Sequence, residues 1–182
     1  VPVGLLNSSV GGTPIESWIA EEAQRAAPEL KGFFTGLEKP RPVSAEERQA
    51  YEASLAKWEE AVKAGRKTKG KAPRRPQDPA EVASRKSDVG GLFNGKIAPL
   101  IPYALRGMLW YQGEGNAGNP GLYETQLTQL VTSWRTLWQD EVPFAWVQLP
   151  NYRTSNSESW PRLRESMMKV LALPKTGMAI TL

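Results

Sequence analysis

The 182-residue chain is 40% hydrophobic and 23% charged, with 23 basic against 19 acidic residues and a net charge of +4. Such a composition suits one globular domain with a sizeable core, and no apolar run approaches the ~20 residues of a membrane-spanning helix. With no cysteine and no histidine, disulfide and thiolate chemistry are excluded, and the commonest general base and transition-metal ligand are missing. Any Ser-His or Cys-His mechanism must take its histidine from elsewhere.

VPVGLLN (Val1–Asn7) reads as a buried strand and SSVGGTP as a small-residue turn. Pro14 suits a first helical position, and Ile15, Trp18, Ile19 and Ala23 mark one helical face through about Arg25. The opening is therefore strand, glycine loop, helix.

The segment Gly36–Asp88 is charged, rich in proline and poor in large apolar residues, which predicts a surface insertion. Ser44 with Glu47 matches a capping box. Tyr51, Leu55, Trp58 and Val62 then form a narrow stripe on a helix from about Ala45 to Ala64, and a weaker helix is expected over Pro79–Arg85. GRKTKGKAPRR (Gly65–Arg75) holds six basic residues; without them 17 basic residues face 19 acidic ones, so the basic excess is local. A nucleic-acid or anionic-glycan contact is one reading. The stretch carries no aromatic residue for base stacking, which favours a solvated connector and no nucleic-acid partner.

Regular alternation resumes at Gly90. Leu92–Tyr103, with its two prolines, predicts a short helix or a buried loop, and Gly107–Tyr111 a buried strand. Asn119-Pro120 is a helix start. Tyr123, Leu127, Leu130, Val131, Trp134, Leu137 and Trp138 form a wide stripe, and their helical spacing assigns the two tryptophans to the core. Pro143–Leu149 reads as a strand apolar on both faces, Trp160, Leu163, Met167, Val170 and Leu171 as one more helix, and Gly177–Leu182 as the start of a strand. This order predicts an α/β fold: a parallel sheet with helices on both faces. Sites in such folds form at the carboxyl ends of strands. SSVGGTP and WYQGEGN (Trp110–Asn116) both lie there and are expected to be neighbours.

In the first loop, Gly11 and Gly12 offer backbone N–H groups before a helix start, an arrangement that stabilises an oxyanion. In the second, Gln112 and Asn116 can each donate an N–H to developing negative charge, while Glu114 can take a proton, pair with a cation or orient a neighbour. Polar filler capping the backbone is the competing reading. Trp18 lies close enough to the glycine loop to line a pocket, Trp110 is expected inside the sheet, and Asn151-Tyr152-Arg153 follows a strand end where it can line a cleft.

Five stretches, VPVGLLNSSVGGTPIESW, GLFNGKIAPLIPYALRGMLWYQGEGN, PFAWVQLPNY, RLRES and TGMAITL, resemble the sialate O-acetylesterase family of SGNH hydrolases. They span the chain apart from Gly36–Asp88. The resemblance implies a three-layer, flavodoxin-like α/β hydrolase that removes acetyl esters from sugars, needs no cofactor or metal, and is secreted or periplasmic. It also implies a nucleophilic serine in a loop before Val1 and an Asp-x-x-His pair after Leu182. The chain begins and stops inside apolar runs, so it reads as an internal fragment whose partner is the rest of the parent polypeptide, inactive alone. Carried over, Gly11 or Gly12 supplies an oxyanion-hole N–H, Gln112 or Asn116 the side-chain amide, and Glu114 orients the site. Gly115 and Met167 stand where the family more often has Ser and Gln; Arg164 and Glu165 fit. A non-catalytic glycan-binding module of the same fold is the alternative.

Overall fold

The computed structural model describes residues 3–38, 42–68, 74–80, 88–152 and 158–181. The chain divides into two compact units, Thr35–Lys86 and the remainder.

The larger unit is built on a three-stranded parallel sheet, β1 (Met108–Trp110), β2 (Phe144–Val147) and β3 (Thr176–Ala179), in that order. In β1 and β2, Met108, Trp110, Phe144 and Trp146 are buried, and the alternate residues Leu109, Ala145 and Val147 are not. Period-two alternation therefore separates a covered face from an uncovered one.

Five helices carry labels: α1 (Glu21–Arg25), α2 (Lys31–Glu38), α3 (Ala45–Thr68), α4 (Pro120–Trp138) and α5 (Ser159–Lys169). Two successive crossovers that advance the same way across a parallel sheet put both their helices on one face. α4 and α5 are those crossovers, and they pack against each other. Tyr123, Leu127, Leu130, Val131, Trp134 and Trp138 of α4 point inward as the stripe predicts, but Leu137 is 40% exposed. Trp18, Trp110, Trp134 and Phe144 stack edge-on or tilted with centroids 5.8–6.2 Å apart, the geometry that ring quadrupoles favour. Arg135 ties the end of α4 to the strand starts: Nε donates to the Val142 carbonyl at 3.0 Å and Nη2 to that of Pro174 at 2.8 Å.

Several expectations need correction. Residues 3–7 form no strand; Val3 is 79% and Leu5 89% exposed. A strand needs a ladder partner, and no described strand pairs beside this segment. For the same reason the helix cover is one-sided among the described residues, and Leu109 is 86% exposed on the open face. The helix expected from Pro14 to Arg25 is a short 3-10 turn, Ile15–Trp18, a break at Ile19-Ala20, and then α1. Asn119 precedes α4 without a side-chain cap hydrogen bond. The helix expected to reach Leu171 ends at Lys169, and Leu171 is 39% exposed. Leu92–Tyr103 does contain short helical turns, Phe93–Ile97 and Ala98–Leu100.

In the smaller unit α3 opens with the expected capping box. Glu47 N–H donates to Ser44 Oγ at 3.2 Å, and Ser44 N–H to Glu47 Oε2 at 3.0 Å. Tyr51, Leu55, Trp58 and Val62 are all half-buried, and the Arg75 guanidinium lies 5.9 Å from the Trp58 ring centre. Only Pro79 and Ala80 of the helix expected at Pro79–Arg85 fall within the described residues, and residues 69–73 of the basic stretch lie outside them.

Candidate active site

The two glycine-containing loops are in direct contact. A β-carbon on Gly115 would lie 3.2 Å from the Thr13 carbonyl oxygen and 3.4 Å from Pro14, so a bare backbone is needed for the loops to meet. On the other side, a β-carbon on Gly113 would stand 2.9 Å from both Leu149 Cδ1 and Met167 Cε. Met167, fully buried, fills the space over Gly113. An apolar residue fits there, where the family more often has Gln.

Gln112 and Asn116 are both buried, and both side-chain polar atoms of Gln112 are engaged. Nε2 donates to the Thr13 carbonyl at 3.1 Å and to Asn116 Oδ1 at 2.8 Å, while Oε1 lies 3.0 Å from the Tyr123 hydroxyl. That hydroxyl also lies 2.9 Å from the Gln112 carbonyl oxygen. Burial pushes the Tyr123 phenol well above the usual tyrosine range. The Gln112 side chain thus has no N–H left for a substrate.

Asn116 differs. Its Oδ1 accepts from the Ile15 backbone N–H at 2.9 Å as well as from Gln112. Its Nδ2 donates one hydrogen to Glu16 Oε2 at 2.9 Å. An amide nitrogen carries two hydrogens, so one Asn116 N–H is without a protein partner among the described residues. The amide cannot rotate by half a turn without setting its NH2 against two donors. Its orientation is fixed by the network.

Glu16 is the residue that sequence reasoning missed. It is 8% exposed, within the 3-10 turn that follows Pro14. The signal was its position between Ile15 and Trp18 on an apolar face, where a charge is costly unless paired. Glu114, the carboxylate expected to orient the site, is exposed, and among the described residues its side chain bonds to neither amide. The charge-assisted bond to Asn116 comes from the other loop. The helix-dipole argument also shrinks, because the glycine loop leads into a four-residue 3-10 turn. Gly11 and Gly12 are exposed at the loop tip, and no described carbonyl accepts from their N–H groups.

Trp18, expected to line a pocket, is part of the buried core. It is 3% exposed, packed edge-on to Trp110, with its indole N–H donating to Thr13 Oγ1 at 3.0 Å. The ring is simply large enough to close the core beneath the loop. Asn151 and Tyr152 are exposed past the end of β2. Asn151 Oδ1 accepts from Arg164 Nη1, whose Nη2 donates to Gln148 Oε1 at 2.9 Å, and the Tyr152 ring lies 5.1 Å from that of Trp160. Arg153 lies outside the described residues. No group of His, Cys, Asp and Glu able to hold a metal occurs among the described residues, and no helix there is long and apolar enough to cross a membrane.

A parallel sheet with an amide loop after β1, interlocked with a glycine loop, has the α/β architecture of the SGNH-hydrolase fold. Residues 95–180 match the family described as carbohydrate esterase, sialic acid-specific acetylesterase. The chain is similar to this sialate O-acetylesterase family. Rat sialate O-acetylesterase is 30% identical over 186 residues, covering 90% of this chain and 29% of the rat protein. The human sialate O-acetylesterase is 27% identical over 174 residues, covering 90% and 25%. The crystal structure of a carbohydrate acetylesterase from Xanthomonas citri superposes with a TM-score of 0.61 at 27% identity, covering 99% of this chain and 31% of that one. The chain thus spans less than a third of the length of these relatives.

Proposed function

We propose that this chain forms the oxyanion-stabilising part of a carbohydrate O-acetylesterase that removes acetyl esters from sugars. The observation that carries the reading is the single unpartnered N–H of Asn116, locked in direction by Ile15, Gln112 and Glu16. An ester carbonyl oxygen becomes fully negative only as the tetrahedral intermediate forms. A donor fixed beforehand stabilises that state more than it tightens ground-state binding. The Gly11 and Gly12 N–H groups supply the complementary backbone donor.

The chemistry needs a nucleophile and a base. A serine hydroxyl, deprotonated by histidine, attacks the acetyl carbonyl; the sugar oxygen leaves with the proton; water then releases acetate. This reading takes the histidine from outside these 182 residues, which contain none, and the serine from outside as well. Glycan specificity, secreted or periplasmic placement, and substrate contacts at Asn151 and Tyr152 belong to the same reading.

The test is acetate release from an O-acetylated glycoside by the parent protein, with and without Asn116→Ala. Loss of turnover at unchanged substrate affinity supports the assignment. Full activity in the variant overturns it.

A further inference from the structure

Beside Asn116 lies a cleft of about 190 Å³ whose lining includes Glu16, Phe33, Asn119, Leu122 and Gln126. At roughly 30 Å³ per water molecule it holds about six waters, the scale of one small ring.

Gln126 is the informative residue. It is 2% exposed, on the inner side of α4, yet its amide makes no hydrogen bond to any described residue. Its polar atoms are not sealed in the interior either, unlike those of Gln24, Trp146 and Arg164. They open onto the cleft. A buried amide without a partner is unfavourable, so the site is completed by something that both donates and accepts. Glu16 narrows the class. Its Oε2 is taken by Asn116, and no described group donates to its other oxygen. A carboxylate only accepts, so the ligand brings a hydroxyl-type donor, and anionic groups are repelled. Phe33, half-buried at the rim, and Leu122 supply an apolar surface.

We infer that this cleft is a subsite for a neutral sugar ring, with adjacent hydroxyls shared between Glu16 and Gln126 and the ring's apolar face against Phe33. Because Asn116 borders the same cleft, the inference rests on the esterase reading and sharpens it. The sugar next to the scissile acetyl is a neutral pyranoside, not a carboxylate-bearing sialic acid.

The experiment is a titration of the ¹⁵N-labelled 182-residue chain with methyl β-D-xylopyranoside and, separately, with N-acetylneuraminic acid, both at millimolar concentration. The Gln126 side-chain amide signals are assigned by their loss in Gln126→Leu. The neutral glycoside is expected to shift them saturably and to bind at least several-fold more tightly than the sialic acid. Phe33→Ala, at the rim, is expected to weaken that binding several-fold while leaving the rest of the spectrum in place; it tests the site even if Gln126→Leu fails to fold. No saturable shift with the glycoside, or equal or tighter binding of the sialic acid, overturns the inference. So does an equal response to methylammonium, which would mark a cation site. Acetyl release that persists in the parent protein without glycoside binding removes the subsite alone. Glycoside binding with full turnover in Asn116→Ala removes the oxyanion role of Asn116 instead.

Discussion

The Asn116 side chain donates to the Glu16 carboxylate at 2.9 Å, joining residues 100 positions apart in sequence. This bond separates two amides that look equivalent in the motif. Gln112 holds the loops together, and Asn116 presents an N–H without a partner among the described residues. On the proposed function, Asn116→Ala in the parent protein should lower kcat by roughly 100- to 1,000-fold, about 2.7–4 kcal/mol, with little change in KM. Gln112→Ala should instead cost about 1–3 kcal/mol of stability, because it strands the Thr13 carbonyl. Steady-state kinetics beside denaturant titration decide the matter; a kcat loss in Gln112→Ala as large as in Asn116→Ala, with stability intact, would reverse the assignment.

On the proposed function Glu16, which accepts from Asn116, is a positioning residue. Glu16→Ala leaves the amide held by two contacts in place of three and should reduce kcat by about tenfold or more, since small displacements of a catalytic donor are costly. Glu16→Gln keeps an acceptor oxygen at the same place and should recover most of that loss. A purely structural role predicts the opposite pattern: both variants losing stability in parallel with activity, without rescue.

Gly113 meets Met167 and Leu149 at 2.9 Å from where a methyl group would sit. Gly113→Ala should therefore destabilise the fold by about 1–3 kcal/mol through overpacking. Shortening the opposing side chain in Gly113→Ala/Met167→Ala should make the pair less destabilised than the sum of the two single changes. Strict additivity of the two effects in chemical denaturation would rule out the contact.

Tyr123 is held neutral by burial, with its folded-state pKa raised above the unfolded value. The sign follows: its contribution to stability is complete below about pH 10, the unfolded tyrosine pKa, and is lost as pH rises beyond it. In an alkaline titration followed by phenolate absorbance, one of the five tyrosines should fail to ionise until the protein unfolds. Tyr123→Phe should abolish that lagging step. Five tyrosines titrating together in the folded state would contradict the burial.

Much of this was legible in the sequence because period and punctuation agree. Asn119-Pro120 and the stripe from Tyr123 to Trp138 define α4, and GMLWY defines β1, because local pattern and packing select the same structure. The meeting of the two loops was legible too, since both follow apolar runs. Glu16 was not legible as a site residue. Its role depends on an asparagine brought to it by the sheet, and spacing along one segment cannot show that. Val3 and Leu5 misled for a related reason: a strand is a property of two segments, and the pattern of one cannot supply its neighbour. Trp18 was read as pocket lining from its closeness to Gly12, whereas the 3-10 turn aims it inward.

The bare side chain of Leu109 has a practical consequence for handling. It sits on an uncovered sheet face, on a strand whose outer edge has no described partner. Unpaired edges and open apolar faces invite sheet-to-sheet stacking between molecules. The purified polypeptide should therefore lose solubility with rising concentration, bind hydrophobic dyes while still folded, and tolerate Leu109→Lys with improved yield.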